Sequence, residues 1–280
     1  MQSLPKGENG RPPVGLLRML RIYFLQQWFN LSDPGAEEAL YESVSMCRFV
    51  GIDLGREPVP DETTILKFRH LLKKHPLGKK LFREVRRHLE SQGVKVTQGT
   101  IVDATIINAP SSTKNKEGKR DPDRHQTKKG NQWYFGMKAH IGGVDSKTKV
   151  IHAVVATAAN VHDATILPDL LHGGETRVWG DSAYQGQTDV LRQHAPKARD
   201  LTNRRYRYKG AVNEVERARN RIKSQIRSRV EHVFGVIKGI FHFTKVRYRG
   251  LEKNAYRLFV TCALANLYLV RRRLLRPTRA

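Results

Sequence analysis

Three acidic residues occupy sequence contexts in which a carboxylate is unusual. Asp103 interrupts an apolar run, Asp181 ends one, and Glu231 is the only acid between Glu216 and Glu252. An unpaired charge is costly to bury, so Asp103 and Asp181 need partners. Phosphoryl transfer with two metal ions needs carboxylates from different elements that converge on ions about 3.5–4 Å apart. We therefore predict Asp103, Asp181 and Glu231 as catalytic residues and ligands of two Mg²⁺ ions, with Mn²⁺ as a substitute, because hard cations prefer oxygen ligands.

Each acid also has a structural interpretation. Asp103 and Asp181 fit salt bridges at strand ends, and Glu231 fits an ion pair with Arg227 one helical turn earlier. At about 100° per residue, Arg227, Glu231 and Lys238 lie within about 40° of one another on a helix. An intrahelical pair explains Arg227 but not Lys238. We therefore interpret both cations as DNA-binding residues that hold phosphates beside an ionised Glu231.

Other residues are less suited to metal binding. Asp145 falls in a predicted hairpin turn, Asp163 near a helix start and Asp169 on that helix. No phosphate-binding glycine motif follows a strand, so we expect no nucleotide cofactor. Four histidines lack the HxxxH spacing of a zinc site on one helix, which makes such a site unexpected: His140, His152, His162 and His172.

The charge balance predicts a polyanionic partner. The 280 residues include 51 Lys and Arg against 26 Asp and Glu, a net charge of +25, which implies a polyanion such as nucleic acid. The stretch from residue 196 to 250 holds 16 basic and 4 acidic side chains and should face this polyanionic partner.

The longest apolar run, Leu258–Val270, is too short to span a membrane, and Met1–Gly10 lacks the apolar run of a secretory signal. We expect a cytoplasmic, nucleoid-associated protein with no membrane partner, in which Cys47 and Cys262 are buried free thiols.

The N-terminal part has the apolar spacing of helices. From Pro13 to Gly93 this spacing predicts four helices, with N-cap signals at Ser32 and Asp61. Two helices joined by a Gly51–Pro60 turn would form a helix-turn-helix, and a plain helical bundle fits equally well. The basic face of its second helix would consist of Lys67, Arg69, Lys73 and Lys74.

After Gly93 the pattern changes to strands, which places a domain boundary near residue 95. We predict a helical DNA-binding domain over 1–95 and an α/β catalytic domain over 96–280. In the latter, one strand carries Asp103, a hairpin turns at Gly142–Asp145, and a helix then leads to the strand before Asp181. This order predicts a ribonuclease H-like mixed sheet with flanking helices, preceded by a small all-α, helix-turn-helix-like domain. A long helix over Asn213–Ile240 should follow, with an apolar face of Ile222, Ile226, Val230, Val233 and Ile237.

Several short segments along the chain carry distinctive motifs: Gly10–Gly15, Arg18–Arg21, Pro60–Arg69, Val102–Thr105, Trp179–Tyr184 and Arg229–Gly235. Together they resemble one known family, the bacterial insertion-sequence transposases of the insertion sequence five group, within the wider insertion sequence four set. That family carries a signature of Tyr, Arg, Glu and Lys, and Arg227, Glu231 and Lys238 match its last three positions. Ser224 stands where the family has Tyr, and it cannot stack on a base or sugar.

The resemblance implies a DDE transposase with a ribonuclease H-like core. Asp103, Asp181 and Glu231 would hydrolyse double-stranded DNA, the implied partner, at the terminal inverted repeats of an insertion sequence and direct the freed 3′-hydroxyl onto target DNA. A homodimer would bring two ends together. Relatives carry a further N-terminal segment, so we also expect a shortened end-binding region. Two alternatives stay open: a transposase-derived DNA-binding protein without catalysis, and a nuclease without strand transfer.

Overall fold

The computed structural model describes residues 14–75, 77–94, 96–114, 116 and 118–275. The Met1–Gly10 segment and the Gly10–Pro13 part of the sequence motif lie outside the described residues. The chain divides into two compact units. One comprises the residues up to Leu77 with Ile240–His242, and the other comprises Gly78–Gly239 and the residues from Phe243 onward.

The first unit is helical, as predicted. Ser32 Oγ accepts a hydrogen bond from the Gly35 amide, and Asp61 Oδ1 accepts one from the Thr64 amide. Both predicted N-caps are therefore confirmed. Ser43 ends one helix and caps the next, which is why the described residues up to Gly93 form five helices where four were predicted. The helices of the first unit are α1 (Leu16–Trp28), α2 (Asp33–Glu42), α3 (Val44–Val50) and α4 (Glu62–Lys74).

The core of this unit is apolar, and one predicted basic residue is held inside it. Ile22 and Val50 are fully buried. The Arg69 guanidinium lies 2.6 Å from the Asp33 carboxylate, with both side chains more than four-fifths buried. Arg69 therefore belongs to an internal ion pair and not to a free basic face.

The second unit is a mixed sheet with helices around it. Its helices are α5 (Leu77–Ser91), α6 (Leu167–Leu170), α7 (Thr188–His194), α8 (Glu214–Arg227), α9 (Arg229–Gly235) and α10 (Leu251–Leu274). Its strands are β1 (Gly99–Asn108), β2 (His125–Lys129), β3 (Gln132–Asp145), β4 (Ile151–Ala158), β5 (Arg177–Trp179), β6 (Arg199–Asp200), β7 (Arg207–Tyr208) and β8 (Ala211–Val212).

The strand order is that of a ribonuclease H-like sheet. In the described part of the chain, the sheet has six strands. Five lie in the order β2-β3-β1-β5-β6, and the sixth, β4, pairs with β3. β1 is antiparallel to β3 and parallel to β5. The predicted fold class, a helical region followed by a mixed sheet with flanking helices, is therefore confirmed. β7 and β8 form a separate small hairpin.

The helices cover the sheet with apolar side chains. Val102 and Val178 pack with Leu167 and Leu170 of α6 and with Leu191 of α7. The predicted apolar run of 258–270 forms the middle of α10, which packs against β4. Its Asn266 side chain pairs with the Ile151 amide at 2.7 Å and with the Ile151 carbonyl at 2.8 Å. None of the described helices combines the length and the hydropathy that crossing a membrane requires.

α5 packs within the second unit, where Leu89 joins a buried cluster with Val94, Val150 and Val270. The sequence had placed this helix in the N-terminal domain. The boundary near residue 95 and the DNA-binding role of residues 1–95 stay predictions. Both cysteines are buried free thiols, as expected.

The hairpin turn predicted at Gly142–Asp145 is wrong. These residues belong to β3, and the chain turns over Ser146–Lys149, where Lys149 adopts a φ of 64°. Gly142 and Gly143 lie opposite Val102 in a β-bulge, since the register shifts between Ile101 and Asp103. The two glycines are required here by packing: a Cβ on Gly142 would lie 2.1 Å from Leu170, and one on Gly143 would lie 1.8 Å from the His152 ring.

The long helix predicted over Asn213–Ile240 is interrupted. α8 ends at Arg227, α9 begins at Arg229, and the last turn is π-helical. Val230, Val233 and Ile237 are buried as predicted, but Ile222 is 67% exposed. The apolar face is therefore confined to the C-terminal half, and the assignment of Ile222 to it was wrong.

Candidate active site

Parallel pairing of β1 with β5 brings two of the predicted acids to the same edge of the sheet. Ile101 pairs with Trp179, and Asp103 and Asp181 each follow two residues later. Neighbouring strands lie about 4.8 Å apart, so the two carboxylates start from adjacent positions. The β3 bulge lies directly beside Asp103, and such bulges re-aim the side chains around them.

Both aspartates are held by local hydrogen bonds. Asp103 is 8% exposed, and its Oδ1 accepts from the Ala104 amide at 2.8 Å. Asp181 is half-buried, and its Oδ1 accepts from the Ala183 amide at 2.9 Å at the start of a 3-10 turn, Ser182–Tyr184. These contacts fix both side chains against the backbone.

The third acid comes from the α8–α9 segment, which is tied to the loop after β6. The Asn220 side chain pairs with the Arg204 backbone, donating to the carbonyl at 2.7 Å and accepting from the amide at 3.1 Å. The Lys223 ammonium donates to the Thr202 carbonyl at 2.9 Å. The helix is thereby anchored next to the β5–β6 edge, and Glu231 lies exposed in the first turn of α9.

Arg227 pairs with Asp103, not with Glu231. Its Nη1 lies 2.7 Å from Asp103 Oδ2. Burial raises the pKa of Asp103 to about 6, the Arg227 charge and the Ala104 amide lower it, and the Asp181 and Glu231 charges raise it. Asp181 and Glu231 are thus close enough to Asp103 for their charges to repel its ionised form. We call Asp103, Asp181 and Glu231 the carboxylate site.

Lys238 lies in the π-helical turn Val236–Ile240, which follows α9, and is half-buried. Burial lowers the pKa of its ammonium, the Lys129 charge on β2 lowers it further, and the Glu231 charge opposes both. Lys238 and Glu231 are therefore close enough to interact electrostatically. Ser224 accepts a hydrogen bond from Asn203 at 3.0 Å, so its hydroxyl supports the helix anchor.

Of the three acidic residues judged less suited to metal binding, two have structural partners. Asp145 is fully buried. Burial raises its pKa, but hydrogen bonds from Thr148 and Thr97 outweigh that effect and hold the pKa below its usual range. Asp163 lies 2.8 Å from the Lys138 ammonium in an ion pair, and Asp169 is exposed.

The fold also brings together residues that the sequence did not connect. His152, His172 and Glu175 offer ligand atoms that all lie within 4.8 Å of one another. The short spacing from His172 to Glu175 was visible, but His152 reaches them only through the strand pairing. His140 is paired with Thr157, and His162 caps a 3-10 turn.

The carboxylate site has the chemistry of a divalent-cation site. Three carboxylates converge there with Arg227 on one oxygen of Asp103, and burial and mutual repulsion both disfavour ionisation of Asp103. A divalent cation would relieve both costs, and hard oxygen donors are the ligands that Mg²⁺ prefers. The residues present therefore fit the metal that the sequence predicted.

Two families match the chain in sequence. One, described as "Transposase DDE domain", matches residues 95–267, and another, described as "Transposase domain (DUF772)", matches residues 2–71. The first match covers more than half of the chain and contains the sheet and the whole carboxylate site. The chain therefore belongs to the family of the transposase DDE domain.

Proposed function

We propose that this transposase cleaves DNA at the ends of an insertion sequence of the insertion sequence five group and joins the 3′-hydroxyl to target DNA. The parallel register of β1 and β5 carries the proposal, because it starts Asp103 and Asp181 from adjacent positions, and the charges of Asp181 and Glu231 both act on Asp103. A protein that only binds DNA has no need for three acids inside a strongly basic chain.

The proposed ligands of two Mg²⁺ ions are Asp103, Asp181 and Glu231. Bound there, the ions would activate the attacking oxygen and stabilise the leaving oxygen. The backbone amides of Ala104 and Ala183 orient the two aspartates in advance, which lowers the cost of assembling the site.

The cations around the site are proposed to hold the DNA backbone. Lys238 lies near Glu231 at the edge of the carboxylate site, where an ammonium can bind a phosphate. The Nε of Arg227 is buried and lacks a hydrogen-bond partner among the described residues, so its guanidinium retains an unused donor. A homodimer that pairs two element ends completes the proposal.

The experiment uses a duplex with the terminal inverted repeat of the element that encodes this chain, incubated with Mg²⁺ and the protein. We expect cleavage at the repeat, loss of cleavage in Asp181→Asn and in Glu231→Gln, and full activity in Asp189→Asn. Asp189 is a matched control because its side chain is 95% exposed and pairs only with Arg192 among the described residues. Cleavage that survives both site substitutions would refute the assignment of the site.

The products separate the two alternatives. A transposase yields target molecules joined to the element's 3′ ends, whereas a nuclease yields cut ends alone. A DNA-binding protein without catalysis retards the duplex and leaves it intact at every Mg²⁺ concentration.

A further inference from the structure

A second cluster of metal-ligating side chains lies within the second unit. His152 projects from β4, and His172 and Glu175 lie in the segment before β5. One ligand atom from each lies within 4.8 Å of the other two. We infer that these three side chains bind one zinc ion, at a site separate from the carboxylate site. This inference goes beyond the proposed function and does not rest on it.

The hydrogen bonds of Glu175 are concentrated on one oxygen. Its Oε1 accepts from the His172 amide at 2.7 Å and from the Thr100 hydroxyl at 3.3 Å, and it lies 3.4 Å from His172 Nε2. Oε2 is buried without a hydrogen-bond partner among the described residues. Because Glu175 is 0% exposed, this orphaned oxygen is costly to bury, and buried polar atoms normally have partners. A cation bound at the cluster would supply one.

The donor set favours zinc over magnesium. Two imidazoles and one carboxylate are a common zinc ligand set, with a fourth position left for water, whereas Mg²⁺ prefers oxygen ligands alone. The His172 side chain is 28% exposed, so the cluster has a route from solvent. At Zn–N bonds of about 2.0–2.1 Å, ligand atoms lie about 3.4 Å apart, so the side chains must close on the ion.

Movement of the side chains onto a zinc ion costs one hydrogen bond of His172. His172 Nδ1 accepts from the Gly174 amide at 3.1 Å, so a neutral ring carries its proton on Nε2. Zinc bound at Nε2 requires that proton to move to Nδ1, and the contact with Gly174 must open. Gly173 precedes this contact with a φ of 83°, and a glycine adapts its backbone readily.

The site would brace the strand that carries Asp103. The His152 ring fills the space beside Gly143, where a Cβ would lie 1.8 Å from it, and Thr100 of β1 lies 3.2 Å from His152 Nε2. A zinc ion that fixes His152 therefore also fixes the β3 bulge and the start of β1. The role assigned to the ion is structural.

The test measures zinc bound to the full chain, in an Asp181→Asn, Glu231→Gln background that removes the carboxylate site. Protein is equilibrated with Zn²⁺, desalted and analysed by inductively coupled plasma mass spectrometry. We expect about one zinc ion per chain in this background and in a further His88→Ala control, an exposed histidine of α5. His172→Ala should lower the bound zinc at least about tenfold. No zinc in the background protein, or an unchanged amount in His172→Ala, overturns the inference.

Cobalt gives a second measurement that reports the ligands directly. Co²⁺ in a four-coordinate nitrogen and oxygen site absorbs strongly in the visible range, whereas six-coordinate Co²⁺ absorbs weakly. We expect the strong spectrum in the background protein and its loss in Glu175→Gln. If Glu175→Gln does not fold, the partly exposed His172→Ala variant decides the result, with circular dichroism as the folding control. Neither measurement uses DNA, so failure of the proposed function leaves the outcome readable.

Discussion

Asp103→Asn removes the charge of the most buried acid in the carboxylate site and keeps its shape. In the metal-free protein, burial and the neighbouring acids raise the pKa of Asp103 from 3.8 to about 6. A raised pKa means that the folded state binds the proton more tightly than the unfolded state. The folded state is therefore favoured below pH 4, and this contribution is lost as the pH rises from about 4 to 6.

The size of the effect follows from the pKa. About two pKa units at about 1.4 kcal/mol each correspond to about 3 kcal/mol of unfolding free energy. We expect the unfolding free energy of Asp103→Asn, relative to that of the wild type, to rise by about this amount between pH 4 and pH 7. The ion pair with Arg227 exists only when Asp103 is ionised, and its effect is already contained in the pKa of about 6. It therefore adds no separate contribution to the pH dependence.

Urea denaturation followed by circular dichroism measures the difference, in buffers with a metal chelator and at half-unit pH steps. Asp189→Asn, at a surface position, is the matched control and should give no pH-dependent difference. At pH 7, adding Mg²⁺ should stabilise the wild type, by about 2.7 kcal/mol at 100 times the dissociation constant, and stabilise the variant less. A difference that is constant from pH 4 to pH 7 would refute the burial and charge argument for this site.

Three further outcomes follow from the packing and charge. Gly142→Ala should destabilise the protein by about 2–4 kcal/mol, because its Cβ would lie 2.1 Å from Leu170. In chemical denaturation, Gly235→Ala is the control, since its Cβ meets nothing within 4 Å. Tyr184→Phe should leave the unfolding free energy equal or higher, because the buried hydroxyl has no hydrogen-bond partner among the described residues; a loss above about 1 kcal/mol would contradict this. Lys238→Gln should reduce the slope of log affinity for DNA against log salt concentration by about 1 in fluorescence anisotropy, and an unchanged slope would exclude a phosphate contact.

Features that depend on neighbouring residues were predictable from the sequence. Ser32 and Asp61 were identified as N-caps because a capping side chain bonds to an amide three residues away. The strand ends at Asp103 and Asp181 were visible because a charged residue breaks or ends an apolar run. The mixed sheet followed from the order of these runs along the chain.

Features that depend on pairing across the sheet were not predictable. Gly142 and Gly143 fit a turn equally well in sequence, and only the partners of β3 make them a bulge. His152 meets Glu175 through the same pairing, so no spacing could reveal their cluster. Arg227 was assigned to Glu231 or to phosphate, because the distance to Asp103 along the chain conceals their contact.

That contact connects metal binding with DNA binding in the proposed function. Both oxygens of Asp103 are in use, with Oδ1 bound by the Ala104 amide and Oδ2 by Arg227. Each carboxylate oxygen keeps a further lone pair, so a metal ion can bind Asp103 beside these contacts, but its positive charge repels the Arg227 guanidinium at Oδ2. A guanidinium displaced in this way would have its donors free for a DNA phosphate. Because binding equilibria are reciprocal, DNA that holds Arg227 away from Asp103 must strengthen metal binding by the same factor as the metal strengthens DNA binding. In the proposed function, Arg227 would thus balance the charge of the buried carboxylate before metal and DNA bind.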